Sequence, residues 1–211
     1  MIYDITRTIS PSLKVWPGDT PFSYEQKSAL KQGAPVNLTT LTLSAHTGTH
    51  MDAYWHYIEG GEHPAQTPIE PYIGPARVIS VERKTGGITP ADLSDVDLTG
   101  TPRVLLHTWV SGVPDDTWPE GFPYPTLELV SFLAEQGVIM LGVDSPSMDP
   151  QDSKDLPCHH SLYEHNMRNL EFLMLDNVPD GVYELVALPL KIDEICGTPV
   201  RAILRSMTQL R

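Results

Sequence analysis

The sequence predicts a compact α/β or α+β domain in which β-sheet dominates and helices are few. Twenty prolines and fifteen glycines are spread along 211 residues, so the chain is cut into many short elements. Between these breakers lie short apolar runs of the length expected for buried strands, while helical spacing recurs at few places. No internal repeat, low-complexity tract or long linker divides the chain, which predicts one domain over residues 1–211 with room for a substantial core.

In chain order, residues 2–9 suit a first strand, followed by a loop from Pro11 to Pro21 that contains Trp16-Pro17-Gly18-Asp19. Val36–Ser44 is rich in Leu and Thr and alternates weakly, as a strand does. Ala76–Glu82, Arg103–Trp109 and Val138–Val143 are apolar runs read as buried strands. Thr126–Gln136 carries Leu127, Val130 and Leu133 at helical spacing, and Gly137 stands where a C-terminal cap belongs. Residues 160–170 are read as a second helix, and Glu171–Leu175 and Gly181–Pro189 as strands.

Composition narrows the function. Hydrophobic residues make up 40% and charged residues 19%, a globular balance. The formal charge of −13 gives nothing to attract phosphate backbones, so nucleic acid is not an expected partner. Two cysteines, Cys158 and Cys196, are no disulfide framework. The N-terminus shows neither the basic nor the apolar region of a signal peptide, and no run is long enough for a membrane span. A cytosolic chain without membrane association is the expectation.

Residues 46–56 read His-Thr-Gly-Thr-His-Met-Asp-Ala-Tyr-Trp-His, a density of imidazole and carboxylate that suits zinc or manganese. His46, His50 and Asp52 share a face of an extended chain. Full extension would hold the first two Cα atoms roughly 13 Å apart, too far for convergent rings. Gly48 lies midway and can bend the backbone, whereas Thr47, Gly48 and Thr49 in succession disfavour a helix. The reading is a strand running into a tight metal-binding bend. A second group, His159, His160, Glu164, His165 and Glu171, offers ligands for a second ion a few ångströms away. Composition does not choose among these five, and Cys158 beside them is not needed where nitrogen and oxygen ligands are plentiful.

The segment from His46 to His56 resembles the H-x-G-T-H-x-D-x-P-x-H signature of the cyclase superfamily of metal-dependent hydrolases. Further segments resemble the bacterial kynurenine formamidases within it, and the resemblance covers nearly the full length. They are Val15–Pro21, Pro35–Asn37, Asp144–Lys154, His159-His160, Leu175–Leu185, Ala187–Leu190 and Pro199–Ala202.

This resemblance implies a cyclase-like swivelling β/β/α fold. It also implies two Zn2+ per subunit, with Mn2+ or another divalent cation as the alternative, and N-formylkynurenine as the small-molecule substrate. Carried over by position, His46, His50 and Asp52 bind one ion, His159 binds the second, and Asp52 and Glu171 bridge them. His56 is the implied general acid/base and Trp16 the implied contact to the substrate's aromatic ring, while His160 lies outside the ligand set. A homodimer or higher homo-oligomer is implied too. Tyr54 stands where the signature has proline, and with Trp55 it is expected to add aromatic bulk near the pocket. Another hydrolase of the superfamily, such as an isatin hydrolase, would use the same ligands. A non-catalytic metal-binding protein would not need His56.

Overall fold

The computed structural model describes residues 1–207; residues 208–211 of the expected domain lie outside the described residues. The elements run β1 (Ile2–Asp4), β2 (Ser23–Ser28), β3 (Leu38–Thr42), β4 (His50–Asp52), β5 (Ile73–Ser80), β6 (Gly87–Ile88), β7 (Arg103–His107) and β8 (Tyr124–Pro125). They continue with α1 (Leu127–Glu135), β9 (Met140–Val143), α2 (Pro157–Glu164), β10 (Arg168–Leu170), β11 (Gly181–Val186), β12 (Gly197–Pro199) and β13 (Ile203–Ser206).

One seven-stranded sheet dominates, in the order β1-β13-β11-β5-β7-β9-β10. From β1 to β5 the pairing is antiparallel, and from β5 through β7 and β9 to β10 it is parallel. Side chains of the central strands alternate between two buried faces. Ala76, Val78, Leu105 and Met140 join one core, and Ile79, Val104, Leu106, Leu141 and Val143 the other, beneath α1 and α2. Burial on both faces explains why these strands read as continuous apolar runs.

Helix α1 forms where its spacing predicts. The Thr126 hydroxyl accepts from the Leu129 N–H at 3.2 Å, Leu129, Val130 and Leu133 are buried, and Gly137 follows the C-terminus at φ +80°.

The second expected helix is corrected in place. Helix α2 begins earlier, with Pro157 in its first turn, and stops at Glu164. Asn166 at φ 52° then reverses the chain, and residues 168–170 pair in parallel with Met140–Gly142 as strand β10. The expected strand Glu171–Leu175 does not form, because Phe172 sits at φ 56° and Glu171 makes only an isolated bridge to His50. The first strand ends at Asp4, where hydrogen bonds between Thr6 and Ala202 take over from the ladder. The strand expected over 36–44 narrows to β3 and pairs with β2, which no sequence pattern had marked.

Candidate active site

The site is built where the parallel strands β9 and β10 end, the usual place for ligands in such sheets. Glu171 directly follows β10, and Asp144 directly follows β9. Strand β4 is held beside them on two sides. Its outer edge pairs with β12, with Gly197 opposite Asp52 and Pro199 opposite His50. Its inner edge exchanges backbone hydrogen bonds with Glu171, His50 N–H to Glu171 C=O at 3.2 Å and Glu171 N–H to His50 C=O at 3.0 Å.

The bend precedes the strand, the reverse of the expected order. Gly48 turns the chain at φ +66°, and β4 starts only at His50. A Cβ on Gly48 would also press on the Ile9 and Leu13 side chains at 3.3 Å, so a larger residue would add crowding to the backbone strain. Gly197 leaves room for the His46 ring, since a Cβ there would lie 2.6 Å from the Met51 carbonyl and 3.0 Å from His46 Cε1.

His46, His50, Asp52, His159 and Glu171 converge on one point of the fold. Asp52 Oδ1 faces His46 Nδ1 at 2.8 Å and His50 Nε2 at 3.4 Å, while Oδ2 faces His159 Nε2 at 3.3 Å. Glu171 divides in the same way, with Oε2 3.3 Å from His50 Nε2 and Oε1 3.2 Å from His159 Nε2. Each carboxylate therefore spans both groups of imidazoles.

The residues fit cations, and three observations carry that test. Ligands at 2.0–2.1 Å in a tetrahedron stand about 3.3 Å apart, which matches four of the five separations, 3.2–3.4 Å, and exceeds the usual charge-assisted hydrogen bond; only His46 to Asp52, at 2.8 Å, is closer. Each ring also has a partner for its far nitrogen. His50 Nδ1 lies 2.8 Å from the Gly48 carbonyl, His159 Nδ1 2.6 Å from Asp149 Oδ2, and His46 Nε2 3.1 Å from Cys196 Sγ. A proton on the far nitrogen leaves the near one with its lone pair turned to the carboxylates, the arrangement of metal-ligating histidines. Finally, Asp52 Oδ1 is buried without a hydrogen-bond partner, since the short His46 contact lacks N–H···O alignment.

Without a cation, protons take its place in the electrostatics. Burial opposes charge on His46 and His50, but Asp52, joined for His50 by Glu171, carries the two rings up to about 10 and about 9. His159 is likewise raised well above the ordinary imidazole range against its burial, mainly by Asp149. Burial would raise Asp52, yet the surrounding imidazoles hold it well below the usual carboxylate range. Cys196 is pulled down to about 6 by hydrogen bonds from His46 and His56.

A cavity of about 320 Å³ opens over this cluster, lined by His46, His50, His56, His159 and Glu171 on one side. Trp16, Trp118 and Phe172 form its aromatic wall. Trp16 is braced edge-on by Trp118 at 5.6 Å and Phe122 at 6.4 Å. His56 is exposed at the rim, on the 3₁₀ turn Tyr54–His56, with its ring centroid 4.1 Å from that of His46.

Tyr54 and Trp55 do not line the cavity, which corrects the expectation of aromatic bulk there. Tyr54 is buried under the Arg168 guanidinium at 3.9 Å and donates to the Met167 carbonyl at 2.9 Å. Of the second group, His160, Glu164 and His165 stay outside the cluster on or just beyond α2, and the buried Cys158 thiol donates to the Pro125 carbonyl at 2.9 Å.

Three further residues went unread in the sequence. Asn169 donates to Asp52 Oδ2 at 2.7 Å and to Glu171 Oε1 at 3.2 Å, and its Oδ1 accepts from the Asp52 N–H at 3.2 Å. It lies two positions before Glu171, so reading 168–170 as a strand would have placed both on one face. Asp149 and Cys196 carry no spacing signal, because they reach the cluster only through folding.

The Cyclase family model matches residues 3–150. The chain belongs to the Cyclase family. Among relatives of this cyclase-family chain, the kynurenine formamidase of Maricaulis maris (strain MCS10) is 42% identical over 98% of both chains. The kynurenine formamidase of Bacillus cereus (strain ATCC 14579) is 42% identical over 96% of both. Among solved structures, isatin hydrolase A from Labrenzia aggregata, bound to benzyl benzoate, superposes with a TM-score of 0.84 at 27% identity, covering 99% of this chain and 94% of that one. A protein described as a predicted metal-dependent hydrolase, from Bacillus stearothermophilus, gives 0.82 at 25% identity, covering 97% of each chain. The mixed sheet and small helix content of this family member are those of its structural neighbours. No helix among its described residues is long and apolar enough to cross a membrane.

Proposed function

We propose that this chain is a kynurenine formamidase, hydrolysing N-formyl-L-kynurenine to L-kynurenine and formate. The observation that carries the reading is 42% identity to formamidases over nearly the whole of both chains, against 27% to the isatin hydrolase. The convergence of three imidazoles on two carboxylates beneath an aromatic-walled cavity supports it from the chemistry.

His46, His50 and Asp52 would hold one cation, and Asp52, His159 and Glu171 a second, with Glu171 also within reach of the first through His50. Two Zn2+ suit this nitrogen and oxygen set best, and Mn2+ is the alternative. When bound, such cations acidify a water and polarise a carbonyl.

The chain's own residues do the rest. Asn169 ties Asp52 to Glu171, and Asp149 fixes the His159 ring, so the carboxylates and the imidazole keep their places during turnover. Trp16 presents its indole to the substrate's aryl ring, which directs the formamide towards the cluster. His56, at the rim, takes a proton from the attacking water and passes it to the anilide nitrogen as the C–N bond breaks. Formate and the aromatic amine of kynurenine result.

The working form is a homo-oligomer, with a dimer as its unit. The β2–β3 ribbon supports this, because Tyr24 and Leu41, paired across it, are more than half exposed, as are Leu38 on the ribbon and Leu30 and Val36 in its connection, apolar side chains that a second copy would cover. The deciding experiment incubates zinc-loaded protein with N-formylkynurenine and follows kynurenine absorbance, with isatin in parallel. Turnover of isatin alone would reject the formamidase reading.

A further inference from the structure

Two charged residues that line the cavity are left unused by the chemistry above. The cavity's other charged or ionisable lining residues, His46, His50, His56, His159 and Glu171, all belong to the metal and proton-transfer machinery among the described residues. The remaining two, Lys14 and Asp19, line the same cavity on the loop that carries Trp16. Neither makes an ion pair among the described residues. A cation and an anion left free at the edge of an apolar-walled cavity are a matched pair for a ligand carrying both charges.

The loop holds them in place. Lys14 N–H donates to the Asp115 carbonyl at 2.8 Å, which pins the backbone on one side of Trp16. On the other side Trp16-Pro17-Gly18-Asp19 closes a turn, with Asp19 N–H bonded to the Trp16 carbonyl at 2.9 Å and Gly18 at φ +93°. That turn needs Gly at its third position and returns the chain so that Asp19 lines the same cavity as Trp16. One carboxylate oxygen, Oδ1, accepts from the Thr20 N–H at 2.6 Å, which orients the group and leaves Oδ2 free.

We infer that Lys14 and Asp19 form a subsite for the zwitterionic amino-acid end of the substrate, Lys14 pairing with its α-carboxylate and Asp19 with its α-ammonium. The inference rests on the formamidase reading and adds to it the recognition of an amino acid over a plain aryl formamide. With the aryl ring on Trp16 and the formamide over the cluster, the amino-acid arm projects from the ring towards the residues flanking that indole. Because the pair lies at a wet edge, it tunes KM and leaves the chemical step alone.

The test uses the zinc-loaded enzyme and two substrates. N-formylkynurenine carries the zwitterion, and 2′-formamidoacetophenone keeps the aryl formamide and ketone but has no amino-acid end. Lys14→Met and Asp19→Asn should each raise KM for the zwitterion by about two- to fivefold, the scale of one solvent-exposed charge pair, with kcat and metal content unchanged. KM for the neutral substrate should not move. The α-methyl ester of N-formylkynurenine should be handled alike by wild type and Lys14→Met, since the charge that Lys14 meets is gone.

Equal losses on both substrates would mean that the residues only shape the loop, and no loss on either would mean that they are spectators; both results overturn the subsite. Wild-type enzyme that hydrolyses neither substrate overturns the formamidase reading and the subsite with it, whereas turnover of both with unaltered variants removes the subsite alone.

Discussion

Asp149 holds His159 at two points. Its Oδ2 accepts the His159 backbone N–H at 3.1 Å and lies 2.6 Å from the ring Nδ1, while Oδ1 accepts the Cys158 N–H at 2.9 Å. The carboxylate thus anchors the first turn of α2 and fixes which nitrogen of His159 faces Asp52 and Glu171. Burial would raise Asp149, but the His159 contact keeps it below the ordinary carboxylate value, so it is ionised where it is needed.

Asp149→Asn keeps the size and weakens that grip. It should lower affinity at the His159 side of the cluster by about 10–100-fold, with the His46–His50 side less affected. Equilibrium dialysis against a buffered zinc series resolves the two steps. Unchanged affinity at both would show that Asp149 serves only the helix.

Asp52 presents one oxygen to His46 and His50 and the other to His159. Elemental analysis of the saturated protein should give two cations per chain. Asp52→Ala should weaken both sites together, because one carboxylate serves both. Selective loss of a single site would contradict the shared role.

His56 stands at the rim, outside both carboxylate-bearing groups of candidate ligands, though its ring nitrogen lies close to His46 and Cys196. His56→Asn should retain both cations and the fold while lowering kcat by about 10²–10⁴-fold, the usual cost of losing a positioned acid/base. Anilides with better leaving groups should lose less, because they need less protonation in the transition state. Loss of metal in step with activity would make His56 a ligand instead.

The metal-stripped protein should have its own pH dependence. His46 and His50 are raised to about 10 and about 9 in the fold, above the value of about 6.5 for a free imidazole. A raised folded value means that the protonated rings stabilise the fold fully below about pH 6.5 and lose that contribution as pH rises through 9 to 10. Asp52 is depressed, so its share of the same pairs is lost on the acid side, below about pH 4. Thermal melts of chelator-treated protein should therefore fall between pH 6.5 and 10. Metal competes with these protons, so its affinity should rise over the same range. A flat melting profile across that range would show that the imidazole–carboxylate pairs contribute nothing.

Much of this protein was legible before folding was considered. A dense run of imidazoles and a carboxylate around Gly48 points to metal chemistry, because each residue type has few other reasons to recur at such spacing. The buried strands were legible as well, since burial on both faces leaves residues 104–106 of β7 and all of β9 continuously apolar. Local sequence also determines α1, whose cap, apolar face and terminal Gly137 all lie within one short window.

Only the tertiary structure decided the rest, and the reason is separation along the chain. Spacing did not separate His159 from His160 and the resemblance did, but the physical reason is tertiary: His159 is the one that α2 turns towards Asp52 and Glu171, a packing choice that two adjacent imidazoles cannot encode. Residues 160–175 misled because Asn166 and Phe172 adopt left-handed backbone that pattern reading does not expect of them. Asp149, Asn169 and Cys196 reach the cluster through strand pairing and loop closure, so their partners lie as far as 150 positions away. Propensity acts over a few residues, whereas the contacts that orient each imidazole are made across the sheet.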